Sequence, residues 1–161
     1  MDTNVIVARY KPGDPLYSDS NVLFEKRYEF VVSPLVLVEL YSVFSRIRPY
    51  IRLPKPLEEA TLSSLVRFVV DDCRLTVVYD LLVAKIGGEA RRVPLEYIYA
   101  MKLAEKLRLR ALSLLHVAQA ALLSDRVETF VTGDEEILER RESIERLTGL
   151  KVASPGTLAR E

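Results

Sequence analysis

The sequence has one cysteine, Cys73, so no internal disulfide can brace the fold. Cys73 stands between a helical and a strand-like segment with no basic neighbour nearer than Arg74, and is expected to fill core space, not to react. No charge of one sign dominates, because 23 basic residues offset 23 acidic ones. A nucleic-acid partner would therefore have to be held by a local basic patch. No apolar run is long enough to span a bilayer and no secretory leader is evident, so the expectation is a cytoplasmic protein with no membrane partner. Asparagine occurs only at 4 and 21 and glutamine only at 119, while Arg exceeds Lys. That depletion of heat-labile amides suggests a thermophilic source.

What the sequence does have is apolar mass. With 49% hydrophobic residues over 161 positions and no long linker, residues 1–161 read as one domain around one core. Glu29 to Ser33 (EFVVS) is a short β-branched run. Ser33-Pro34 then offers an N-cap and an N1 proline for a helix running to Arg48, before Pro49. A second helix is expected from Pro56-Leu57, with Glu58 and Glu59 in its first turn, to Asp71 or Asp72. Leu75 to Tyr79 reads as a buried strand, Gly87-Gly88 as a break, and Leu95 to Leu107 as a helix. The Ala- and Leu-rich run from Leu112 to Leu123 predicts a helix buried on most sides. Thr129 to Thr132 is a β run, followed by a charged helix from Gly133-Asp134 to about Leu147 and a short edge strand in LKVAS. This alternation implies an α/β fold with a mostly parallel sheet, whose ligands gather at the carboxyl ends of the strands.

Three acids stand where a solvated charge is not the obvious choice. Asp2 opens the apolar run NVIVA, Glu39 lies between Val36 and Val43 at helical spacing, and Asp134 follows the strand ETFVT. Carboxylates brought together repel one another and favour a bound cation, for which Mg2+ or Mn2+ is the natural candidate. Such a cation suits phosphodiester hydrolysis. The plainer reading of each acid is a helix cap or a helix-terminal charge.

Four sequence words bear on that choice. DTNVIVA at 2–8, VVSPLVLVELYSV at 31–43, LSLLHVAQA at 112–120 and ETFVTGDEEI at 128–137 occur in the order of the PIN-domain family and together resemble it across nearly the whole chain. The resemblance implies a three-layer α/β/α sandwich and a metal-dependent endoribonuclease similar to archaeal VapC-type toxins. Its partners would be single-stranded or looped RNA, an antitoxin protein and a second copy of the chain. It implies that Asp2, Glu39 and Asp134 form the metal site, Asp2 and Asp134 as direct ligands and Glu39 as a positioning group or base, with Asn4 and Thr132 orienting them. The chain departs from the family twice. Ser113 stands where the family has an acid, which supplies a hydroxyl but no charge and leaves open a catalytically silent RNA- or protein-binding module. Asp2 follows Met1 directly, where the family places a central strand. Either the natural chain starts upstream, or NVIVARY serves as strand where the family starts a helix.

The remaining polar residues have ordinary readings. His116, within an apolar helix, is expected to be packed and hydrogen-bonded. Glu135 and Glu136 suit a helix N-terminus. Arg91, Arg92, Arg108 and Arg110 could line a phosphate groove, but arginines are scattered through the sequence.

Overall fold

The computed structural model describes residues 1–78, 81–86 and 89–160, the segment 81–91 by its backbone alone. The Gly87-Gly88 break, Tyr79 at the end of the second expected strand and the side chain of Arg91 therefore lie outside the described residues. The elements follow in chain order as α1 (Thr3–Ala8), α2 (Tyr17–Glu25), β1 (Phe30–Val32), α3 (Pro34–Ile47), α4 (Leu62–Asp72), β2 (Leu75–Val77), β3 (Leu81–Ile86) and β4 (Glu89–Pro94). Then come α5 (Leu95–Leu107), α6 (Ala111–Leu122), β5 (Thr129–Val131), α7 (Glu135–Glu139), α8 (Arg141–Thr148), β6 (Lys151–Ala153) and α9 (Pro155–Ala159).

Several expectations meet the structure with informative differences. NVIVA of the segment NVIVARY lies in helix α1, not a strand. Val5, Ile6 and Ala8 are fully buried there, and Asp2 is the extended N-cap residue. Ser33 does occupy the N-cap position of α3, yet its hydroxyl makes no cap bond, and the amide of Val36 bonds to the Ser33 carbonyl at 3.1 Å instead. The helix expected from Pro56-Leu57 starts at Leu62, capped by Thr61, whose Oγ1 accepts from the Ser64 amide at 3.2 Å. Arg48 lies across the stretch before it, where its guanidinium donates to the carbonyls of Leu57, Glu58 and Ala60. The charged helix after Asp134 divides into α7 and α8 at Arg140. There the Arg140 side chain donates to the Glu136 carbonyl at 3.2 Å, and its amide turns to Ile137 at 3.1 Å. The antiparallel hairpin β3–β4, paired from Leu81↔Pro94 to Ile86↔Glu89, was not expected. A Gly-Gly dipeptide between two six-residue runs was its signal.

The α/β class holds. Two parallel pairs carry it, β1–β2 with Phe30↔Leu75 through Val32↔Val77, and β5–β6 with Thr129↔Lys151 through Val131↔Ala153. Each strand has only three residues, and among the described residues the ladders remain pairs and do not join into one sheet. Met1 and Asp2 bridge β1 and β5. The amino group of Met1 donates to Val31 O and the Asp2 amide to Val131 O, both at 2.9 Å.

Two clusters of buried side chains make up the core. The first joins α1, α2, β1, α3, α4 and β2 through Ile6, Leu23, Phe30, Leu40, Phe44 and Leu65. The second joins α5, α6, β5, α7, α8 and β6 through Leu103, Leu107, Val117, Phe130, Ile137 and Ile144. Cys73 is buried in the first cluster, 3.3 Å from the Tyr10 hydroxyl, and burial pushes its thiol up to about 11. This is the inert packing role expected of it.

Candidate metal centre

The candidate site forms just beyond the carboxyl ends of β1 and β5, where chain direction alone places ligands in an α/β fold. Asp2 is held there by its backbone. The extended conformation that lets its amide reach Val131 also makes it the residue from which α1 departs. Glu39 comes from the second turn of α3, whose Val36, Leu40 and Phe44 are fully buried. His116 comes from α6, a helix buried along most of its length.

Among the described residues, Asp2, Glu39 and His116 bring one ligand atom each within 4.8 Å of one another. His116 Nε2 lies 2.8 Å from Glu39 Oε2 and 3.8 Å from Asp2 Oδ1. Asp2 and His116 are buried, and Glu39 is partly so. Thr3 Oγ1 donates a short hydrogen bond to the same Glu39 Oε2. Burial by itself would raise the Glu39 pKa. The hydrogen bonds from His116 and Thr3, with the attraction of His116, outweigh it and hold the carboxyl below its usual value. The other oxygen of Asp2, Oδ2, accepts from Asn4 Nδ2 at 2.9 Å and Thr132 Oγ1 at 2.5 Å.

Asp134 forms a second arm. Its Oδ1 caps α7 by accepting from the Glu136 amide at 2.9 Å, and its Oδ2 accepts from Ser113 Oγ at 2.8 Å. Arg110 spans the mouth, with a terminal nitrogen 3.7 Å from Asp134 Oδ2 and Nε 2.8 Å from Glu136 Oε2. Thr132 ties the two arms together, because its hydroxyl donates to Asp2 and accepts from the Asp134 amide at 2.9 Å. Asn4 adds a second tie, donating to Asp2 and accepting from the Gly133 amide at 2.9 Å.

Of the six residues named from sequence, Asp2, Asn4, Ser113, Thr132 and Asp134 share one hydrogen-bonded network, and Glu39 stands beside it through His116, which lies 3.8 Å from Asp2. The close ligand group, however, takes His116 as its third member in place of Asp134. His116 is packed and hydrogen-bonded as expected, and its partner is the very carboxylate at issue. Thr3 was missed. Its signal was its place one residue after Asp2 in a helix whose apolar positions point to α3. Of the four arginines, Arg110 reaches the site, and Arg92 and Arg108 are exposed. Glu136 is drawn in through Arg110 and also serves the helix start, as expected.

No family model, no curated protein and no solved structure matches the chain.

Proposed function

We propose that the chain is a divalent-metal-dependent nuclease of the PIN type, cleaving phosphodiester bonds in RNA, with Asp2, Glu39 and His116 at its centre. The single observation that carries this is the convergence of two carboxylates and an imidazole in a largely buried site. Fixing two acids so close, with one histidine between them, is costly unless positive charge compensates them. The donor set fits a hard or borderline cation, carboxylate oxygens suiting Mg2+ and the imidazole nitrogen favouring Mn2+ among the two. Such an ion, when bound, polarises a phosphoryl oxygen and lowers the pKa of water.

The chain's own residues divide the work. Asp2 presents Oδ1 to the centre because Asn4 and Thr132 occupy Oδ2. Glu39, kept ionised by Thr3 and His116, can accept a proton at Oε1 or Oε2 from an attacking water. Arg110 is exposed beside Asp134 and offers a guanidinium to the phosphate of a docked strand. An antitoxin-like protein covering this mouth and a homodimer aligning two such mouths remain part of the proposal. No helix among the described residues is long and apolar enough to cross a membrane.

The test is calorimetric titration with Mn2+, beside Asp2→Asn. Saturable binding that weakens at least about a hundredfold in the variant supports the reading. No saturable binding by the parent protein would sink it.

A second reading, a silent RNA- or protein-binding module, is favoured by one observation. Ser113 and Arg110 already engage Asp134, which leaves that carboxylate satisfied without an ion. Ser113→Asp separates the two. It would set a carboxylate within hydrogen-bond reach of Asp134, lowering the thermal midpoint of the metal-free protein while raising Mn2+ affinity about tenfold and switching on RNA cleavage. Loss of stability with no gain in binding or cleavage would favour the silent module.

A further inference from the structure

Gly133 stands between Thr132, which serves Asp2, and Asp134, which caps α7. Its α-carbon is closely covered. A β-carbon built there would overlap Leu16 Cδ1 and lie 3.4 Å from both Leu16 Cγ and Asn4 Oδ1. Gly133 has no positive φ, so glycine is needed at this position for space and not for backbone conformation. Leu16 and Asn4 in effect share the volume of one missing side chain.

Leu16 has little freedom to give way. It is the residue before α2, and its carbonyl accepts from the Ser20 amide at 2.8 Å. Its amide donates to Asp14 Oδ1 at 3.1 Å, and Asp14 Oδ2 pairs with Lys11 at 3.3 Å. Two backbone bonds brace the same turn, from the Asp14 amide to Lys11 O at 2.9 Å and from the Tyr17 amide to Asp14 O at 3.0 Å.

Asn4 carries the connection to the ligand group. Its Oδ1 accepts from the Gly133 amide at 2.9 Å, and its Nδ2 donates to Asp2 Oδ2 at 2.9 Å. A carboxamide is planar, so fixing the acceptor at one end fixes where the donor at the other end points. Asp2 Oδ2 is kept occupied in this way, and Oδ1 is the oxygen 3.8 Å from His116 Nε2.

We propose that Leu16 is a positioning residue of the metal centre. Seated on the bare α-carbon of Gly133, it keeps the Gly133 amide in register with Asn4, and through Asn4 it fixes the oxygen that Asp2 presents. A close-packed contact is weakly attractive but steeply repulsive, so it holds a spacing although it contributes little binding of its own. The role rests on the metal reading of Asp2, whereas the linkage from Leu16 to Asn4 is a property of the metal-free protein.

The test is calorimetric titration with Mn2+ alone of Gly133→Ala, Leu16→Ala and the double variant, with hydrogen exchange of the residue-133 amide followed in the same metal-free proteins. Gly133→Ala should weaken Mn2+ binding about tenfold and speed exchange of that amide about tenfold relative to its intrinsic rate, because the new methyl displaces Asn4 or Leu16. Leu16→Ala removes the atoms that this methyl would meet. The double variant should therefore return to within about threefold of the parent in both readouts, whereas two independent packing faults would add. A double variant as impaired as Gly133→Ala overturns the proposal. So does parent-like Mn2+ affinity, or parent-like exchange, in Gly133→Ala. A parent protein with no saturable Mn2+ binding sinks the metal reading instead, and the exchange rates then decide the Leu16 linkage by themselves.

Discussion

The two arms of the candidate site use the same residue types to opposite effect. In the first, Asp2 and Glu39 are compensated by one histidine, and no lysine or arginine is paired with either among the described residues. In the second, Asp134 is saturated by a helix amide, a serine hydroxyl and an exposed guanidinium. A carboxylate gains little from an ion when its charge is already answered, and much when it is not. The difference locates the demand for a cation in the first arm, although sequence resemblance weights Asp2 and Asp134 equally.

The sharpest way to break this comparison is His116→Ala. Removing the imidazole should weaken Mn2+ binding by about ten- to a hundredfold and cost about 1–3 kcal/mol of folding stability, since Glu39 loses a buried hydrogen-bond partner. Calorimetry and denaturant titration read the two effects. Unchanged Mn2+ affinity would reduce His116 to a packing residue.

Asp134→Asn should act more weakly, because asparagine preserves the cap of α7 and an acceptor for Ser113. Mn2+ affinity is expected to fall less than about tenfold. A loss as large as that of Asp2→Asn would move the demand for a cation back to the second arm.

A further prediction concerns pH dependence. Burial lowers the Met1 ammonium to about 6 against its ordinary 8.0, with the Asp2 charge opposing the shift. The unfolded chain therefore binds more protons than the folded one between those values, and stability rises from about pH 6 to pH 8. Thermal midpoints of the chain with a free Met1 amino group should show this slope, and acetylating that group should remove it. A slope that survives acetylation would assign it to another group.

Legibility in the sequence followed the range of the interactions. The α5 boundaries, Leu95 to Leu107, were read exactly as they stand because apolar spacing and turn residues act locally. The delayed start of α4 was not, and there Arg48 reaches across to three carbonyls ten or so residues away. The same limit applies to the site. Asp2, Glu39 and Asp134 could be named because each stands against an apolar run and within words that resemble a family. The choice of His116 over Asp134 depended on a hydrogen bond between α6 and α3, a contact between residues 77 positions apart that no local pattern encodes. The hairpin β3–β4 is a different case, since its two runs were not read as strands, and Gly87-Gly88 between them lies outside the described residues.

The hydroxyl of Thr132 has one proton, and the geometry decides where it goes. The Asp134 amide can only donate to the threonine oxygen, so the threonine proton must point at Asp2 Oδ2, which Asn4 also serves. Asp2 is thereby denied a chelating grip and left with a single free oxygen. An ion held by Asp2, Glu39 and His116 would meet Asp2 through Oδ1. A threonine outside the ligand group would in that way decide which oxygen Asp2 offers.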